Sequence, residues 1–215
     1  MDNLVIYTRK IKYNTQEANM KESSQLNASF QLILEVTTLL IEEKGCRLTT
    51  MQDIIDRSGL SKGAIYHYVS SKDELFGLIL KFRMELLNAK FFEEVSKSDA
   101  REINPPLQVI VEGIFDHSEH QNVTNKIFIY LLGRMESQKV EEIVREIYVY
   151  TLDTSRKWIE VGQQKGVIPA AIDAEKMALI FITFMYGLRV QKTIIQGEGK
   201  MDVTDIFQVI FRSLQ

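Results

Sequence analysis

The chain has 215 residues, 45% apolar and 26% charged, enough to bury a core in one large or two small domains. Its formal net charge of −3 excludes a global basic field, so any surface for nucleic acid has to be local. The lone Cys46 excludes an intrachain disulfide and fits a reducing cytoplasm, and the longest nearly apolar run, 178–188, is far short of the ~20 residues a membrane span needs.

Residues 1–27 read as a polar arm without a sustained period, with no signal-peptide core and with Met20 as a second candidate start beside Met1. From residue 28 onward the pattern is helix after helix. Leu32, Ile33, Val36, Leu39 and Leu40 recur at three-to-four spacing, and Gly45 follows as a stop. Thr49-Thr50-Met51-Gln52 has the look of a capping box in which Thr49 caps and Gln52 reaches back, opening a helix that carries Ile54 and ends at Gly59. A short helix follows from Ser61 to about Val69. Ser71-Lys72-Asp73-Glu74 predicts a second capping box and a long helix with Leu75, Ile79, Phe82 and Leu86 on one face.

Beyond Pro105-Pro106, one helix is expected around 107–115 and another over 127–132. A stripe from Val140 through Ile147, Thr154 and Trp158 to Val161 predicts a long helix closed by Gly166 and Pro169. Asp173 caps a strongly apolar helix to about Ile195, and Val203 to Leu214 make a last one. No alternating segment of useful length interrupts this series, so the fold class is all-α, with about nine helices.

The stretch from Thr49 to Glu74 carries the functional signal. Two short helices are joined at Gly59, where a tight turn favours positive φ, and Ile54, Leu60, Ile65 and Val69 have the spacing to pack them on the preceding helix. That leaves Lys62, Gly63, Ala64 and His67 facing outward. A helix entering a major groove needs short side chains near its N-terminus. Ser61-Lys62-Gly63-Ala64 meets that demand, with Lys62 able to donate to guanine and Ala64 able to meet a thymine methyl. No acid lies between Asp56 and Asp73, while Arg57, Lys62 and Lys72 are basic. Thr49, Thr50 and Lys72 stand at helix N-termini, which attract phosphate, and Tyr66, His67 and Tyr68 add donors beside them.

Taken in order, Thr49-Thr50-Met51-Gln52-Asp53-Ile54, Ser58 to Val69 and Ser71 to Phe76 resemble the DNA-binding signature of TetR-family regulators across roughly residues 28–80. The resemblance implies a three-helix head whose third helix enters the major groove. Lys62, Gly63, Ala64 and His67 would face bases, and Thr50, Tyr66, Tyr68 and Lys72 would hold phosphates or support that grip. It also implies a two-fold dimer reading two half-sites. Ile55, Val69 and the Ser29-Phe30 pair depart from the usual pattern.

The expected organisation is an arm over 1–27, a helix-turn-helix over 28–75 and a ligand-binding and dimerisation domain over 76–215. Helix 173–195 is apolar on several sides, which suits pairing with 202–214 and the same pair of a second copy. Phe115, Phe128, Met135, Tyr148, Trp158 and Phe184 are candidates to line a pocket for a small-molecule effector, with Arg189, Glu112 or Glu136 fixing a polar group. His117 and His120 lack a third ligand, so no metal and no cofactor is expected, and no catalytic cluster points to an enzyme. The expected function is a ligand-responsive repressor released from a near-palindromic operator. A partner-dependent activator or DNA-tethered interaction protein is the alternative.

Overall fold

A computed structural model describes residues 19–97 and 119–195, with Pro106, Val109, Ile110 and Gly113 from the stretch between. Seven helices are described along their length, α1 (Asn19–Leu48), α2 (Met51–Ser58), α3 (Lys62–Tyr66), α4 (Lys72–Lys97), α5 (Glu119–Leu132), α6 (Gln138–Gln164) and α7 (Ala174–Ile194), and Pro106, Val109, Ile110 and Gly113 are helical as well. Among the described residues there is no strand, and no helix is long and apolar enough to cross a membrane. The expected helix over 203–214, and all of 107–115 except Val109, Ile110 and Gly113, lie outside the described residues.

α1 starts at Asn19, so the last nine residues of the expected arm are helical and only 1–18 fall outside the described residues. Its inward face is Ile33, Leu34, Val36, Thr37, Leu40 and Ile41, whereas Leu32 and Leu39, expected on that face, are exposed. The buried side admits two threonines, because the Thr37 and Thr38 hydroxyls donate to the Ile33 and Leu34 carbonyls at 2.6 and 2.8 Å. At Gly45 (φ 77°, ψ 165°) the expected stop is a bend. Thr49 folds back across it, its N–H and hydroxyl donating to the Gly45 carbonyl at 3.2 and 2.9 Å.

α2 is capped by Thr50, one residue later than the spacing suggests, and its capping box pairs Thr50 with Asp53 and not Thr49 with Gln52. A carboxylate at the third helical position accepts from the cap N–H better than an amide one residue earlier can reach it. Gly59 closes α2 in the left-handed region (φ 67°), where a side chain would be strained. α2 and α3 then cross on α1 through Ile54, Ile65 and Val69, all essentially without solvent contact. Burying side chains of this size contributes roughly 1.5–3 kcal/mol each.

The long α4 leaves the head and runs along α6, and Gly77 sets how close they come. A methyl there would sit 2.5 Å from Ile143 Cγ2. At the start of α4 the expected box is split: Ser71 Oγ accepts from the Glu74 N–H at 3.2 Å, but the Glu74 carboxylate takes the Ser70 N–H and hydroxyl at 2.7 and 2.6 Å. The apolar interior falls into two clusters. One joins the head to the start of α4, to Val123, Ile127, Phe128 and Leu131 of α5, and to Val140; the other gathers Leu87, Phe91, Trp158, Phe181, Ile182, Met185 and Leu188. The head therefore shares its core with α5.

Candidate nucleic-acid interface

α3 is five residues long, capped by Ser61, whose Oγ accepts the Ala64 N–H at 3.2 Å. Ile65 anchors it from below at zero exposure, while Ser61, Lys62, Gly63, Tyr66 and His67 are exposed and Ala64 is half-buried. Lys62, Gly63 and His67 are bare where the spacing places them outward, and Ala64, expected with them, is half covered. A methyl on Gly63 would meet nothing nearer than Ser61 Oγ, at 4.0 Å. The protein itself does not need a glycine there; an incoming surface that must approach the backbone does.

Of the three basic residues expected to make a cationic face, one, Lys62, has no hydrogen-bond or ion-pair partner among the described residues. Lys62 stands over the Tyr66 ring, 5.5 Å from its centroid, and makes no ion pair among the described residues. Arg57 is held by Glu43 at 2.5 Å, which raises the Arg57 pKa and lowers that of Glu43, each through that hydrogen bond first. The cationic face is thinner than the sequence suggested.

Lys72 is turned inward. Its ammonium donates to the carbonyls of Cys46, Arg47 and Thr49 at 3.1, 3.2 and 2.9 Å, tying the start of α4 to the bend at the end of α1. An ammonium has three hydrogens and all three are engaged, so Lys72 supports the head and does not hold a phosphate. Burial pulls its pKa below the ordinary lysine value. Thr49 is likewise corrected: fully buried and bonded to Gly45, it has no route to a phosphate. Thr50 is exposed, its hydroxyl bonded to Asp53 Oδ2 at 2.6 Å. Tyr68 is half-buried against Phe30 (ring centroids 5.3 Å apart), with His67 edge-on to it.

A polar chain that sequence reasoning missed links this head to the helical core. The Tyr130 hydroxyl donates to Asp73 Oδ1 at 3.1 Å and accepts from Arg134 at 2.5 Å, and Arg134 reaches Asp73 Oδ2 at 3.5 Å. The Tyr130 ring lies 5.5 Å from both the Lys72 ammonium and the Phe76 ring. Lys139 of α6 donates to Ser70 Oγ at 2.6 Å. Nothing in a single sequence pairs residues nearly sixty positions apart; only the aromatic-then-arginine spacing at 130 and 134, one helical turn, was visible.

The expected pocket residues separate. Phe128 and Trp158 are buried, the latter donating its indole N–H to Asn88 Oδ1 at 2.9 Å. Met135 and Phe184 are exposed, Met135 in the turn after α5 and Phe184 on the outer face of α7, and Tyr148 sits at the rim with its ring 6.3 Å from that of Tyr186. These three do not line an interior cavity. Glu136 is exposed too. Arg189 does face inward, over the Phe128 ring at 5.3 Å. Phe115, Glu112, His117 and the His120 side chain lie outside what is described. Among the described residues no three His, Cys, Asp or Glu side chains gather as a metal site.

Residues 33–79 match the family described as "Bacterial regulatory proteins, tetR family". The chain is 34% identical over 152 residues to the HTH-type transcriptional repressor KstR2 of Rhodococcus jostii (strain RHA1), covering 66% of this chain and 69% of that one. It belongs to the tetR family of bacterial regulatory proteins. A further family resemblance, 23% identity over 81% of this chain and 84% of the other, is to the HTH-type transcriptional regulator YfiR of Bacillus subtilis (strain 168). The fold is that of a TetR-family transcriptional regulator from Rhodococcus sp., with a TM-score of 0.68 at 15% identity over 86% of this chain and 97% of that one. The protein is a DNA-binding transcription regulator, and α2 and α3 are its helix-turn-helix.

Proposed function

We propose that this TetR-family protein is a repressor that holds a near-palindromic operator as a homodimer and releases it when a small molecule occupies the helical core. The observation that carries the DNA half is the bare N-terminal turn of α3, where Gly63 faces open space beside an uncommitted Lys62. In this reading Lys62, Gly63, Ala64 and His67 meet base edges, while Ser61, Thr50, Tyr66 and Tyr68 flank the backbone. Its work on DNA places it in the cytoplasm, consistent with the single, buried, unpaired Cys46.

Support for the dimer comes from α7. Its buried face is Ala178, Phe181, Ile182, Met185 and Leu188, and the opposite face exposes Ile180, Phe184, Val190 and Ile194 around Gly187, which has open space above it. An apolar stripe on both sides of one helix suits a second layer, supplied by the same helix of another copy with residues 202–214. Release follows if the effector prefers one arrangement of the core. The Tyr130–Asp73–Arg134 chain and the Lys72 clamp would then carry a shift of α5 into the head, and differential binding of the two states sets the size of the response.

The test is selection of DNA from a random pool by the purified full chain at ~50 mM salt, where phosphate contacts are strongest. A two-fold symmetric site is the expected result. Failure to enrich any sequence would overturn the reading, and an asymmetric single half-site would overturn the dimer.

A further inference from the structure

Three polar groups in the helical core have no partner suited to them, and they lie on elements that meet. Arg189 of α7 stacks its guanidinium over Phe128 of α5, and among the described residues no carboxylate lies within ion-pair distance. Asn125, one turn before Phe128 on the same face of α5, has a buried Oδ1 with no hydrogen-bond partner. Its orientation is determined by its neighbours. The Nδ2 group reaches the Arg189 carbonyl at 3.2 Å and Thr193 Oγ1 at 2.9 Å, and that hydroxyl already donates to the same carbonyl, so both neighbours can only accept from Asn125. The oxygen is the end left over. On α6, Ser155 is 1% exposed and its hydroxyl is likewise unpartnered, one turn beyond Thr151, which bonds Tyr186. The Phe128 ring under Arg189 packs on that of Tyr186, with centroids 4.7 Å apart.

Native interiors rarely leave such groups open, because an unsatisfied buried donor or acceptor carries the full cost of its desolvation. One orphan is an accident of packing. Arg189 and Asn125 make a set: the cation stacks on Phe128, the amide holds the Arg189 carbonyl, and Phe128 packs on Tyr186 to form the wall between their helices. An arginine without an anion is the sharpest of the three. Its planar fork matches a carboxylate or phosphate bidentately, and its weak hydration lets it wait over a ring face. Burial lowers the Arg189 pKa, with the neighbouring Tyr186 acting the other way; the cation is held at a cost that an incoming anion would remove.

We infer that the effector of this regulator is an organic anion, whose carboxylate or phosphate pairs with Arg189 and whose apolar body lies against Phe128 and Tyr186, with Asn125 reading a further polar group. The inference deepens the ligand-responsive reading above and rests on it. The ion pair, which Arg189 makes with no carboxylate among the described residues, would be the interaction that distinguishes the two states.

The test uses thermal unfolding of the full chain, which needs no operator, so its failure leaves DNA binding untouched and a failed DNA selection leaves it interpretable. The probes are decanoate and 3-phenylpropanoate, the corresponding alkyl and aryl phosphate esters, and the neutral amides of the two acids, each at about 1 mM. At least one acid or ester raises Tm by about 3 °C or more, and its neutral counterpart does not. The acid arm against the ester arm separates carboxylate from phosphate. Arg189→Met abolishes the shift and Arg189→Lys keeps part of it. In the free protein, Arg189→Met leaves Tm unchanged or raises it, since an unpaired cation has been replaced by an apolar side chain of similar length. Equal shifts from amides and acids, no shift from any anion, or a lower Tm for free Arg189→Met, which would reveal an internal carboxylate partner, each overturns the proposal.

Discussion

Two half-buried cations show how differently the head and the helical core are built. In the head, Lys72 gives its hydrogens to three carbonyls at 3.1, 3.2 and 2.9 Å; in the core, Arg189 stacks on Phe128 with no carboxylate among the described residues. Desolvation lowers the pKa of both. Around Lys72 the polar groups close on one another: Thr49 on Gly45, Thr50 on Asp53, Tyr130 on Asp73. Beside Arg189 the Asn125 Oδ1 remains open, as does Ser155 Oγ elsewhere, on α6. A surface that must fit a groove loses least on binding if its shape is set beforehand, since ordering it later subtracts from affinity. A sensor needs the reverse, groups that are satisfied in one state and not the other.

The largest expected effect tests the first half of that contrast. Gly63→Leu places a side chain where the protein offers empty space, so folding should be untouched: a Tm within about 2 °C of wild type, and helix propensity slightly improved. Operator affinity, read by fluorescence anisotropy, should fall at least about a hundredfold, or about 2.7 kcal/mol. A lower Tm with unchanged affinity would make Gly63 a folding residue and leave the head without a reading helix. Next in size is Lys72→Met. Three carbonyls lose their donor, and chemical denaturation should show a loss of about 2–3 kcal/mol. The slope of log affinity against log salt should not change, because no phosphate contact has been removed. A slope shallower by about one unit would put Lys72 on the DNA after all.

How much of this was legible beforehand follows the range of the interactions. The all-α class, the outward turn Ser61 to Ala64, the Gly59 turn and the Asp173 cap are local, written in periodicity and in the chemistry of a few adjacent residues. The roles of Thr49 and Lys72 were misjudged for one reason. Each stands at a helix start, which locally suggests phosphate, but the bend at Gly45 brings carbonyls from the end of α1 across to meet them. Residue type alone makes Met135 and Phe184 candidates for a pocket, and type does not say which face of an element is covered. Arg189 was singled out only as one of three polar candidates; its lack of a partner is a property of α5, α6 and α7 together.

The chain from head to core offers a smaller test. Tyr130→Phe removes the hydroxyl between Arg134 and Asp73 yet keeps the ring beside Lys72 and Phe76. The expected stability loss is about 1 kcal/mol, and a double-mutant cycle with Arg134→Ala should give a coupling of about 0.5–1 kcal/mol. Additive losses would mean that the three groups are neighbours without acting together, and that the head is joined to α5 by its apolar core alone.

The smallest effect is at Asp53. Its carboxylate takes the Thr50 N–H at 2.7 Å and hydroxyl at 2.6 Å and pairs with Lys44 at 2.7 Å, and these contacts, Lys44 foremost, lower its pKa from 3.8 to about 2. A carboxyl whose folded pKa lies below its unfolded one adds stability that is fully present above the unfolded value and is lost as pH falls through the folded one. The window therefore runs from about pH 4 down to about pH 2. The group is about a third exposed, so solvent screens it and the gain at neutral pH should be modest, about 0.5 kcal/mol for a charge in the first turn of a helix. Asp53→Asn should lose that amount at pH 7 and then unfold along a flatter acid curve than wild type. Parallel curves between pH 4 and 2 would mean the cap is not held by charge, and that the finished character claimed for the head does not extend to the start of α2.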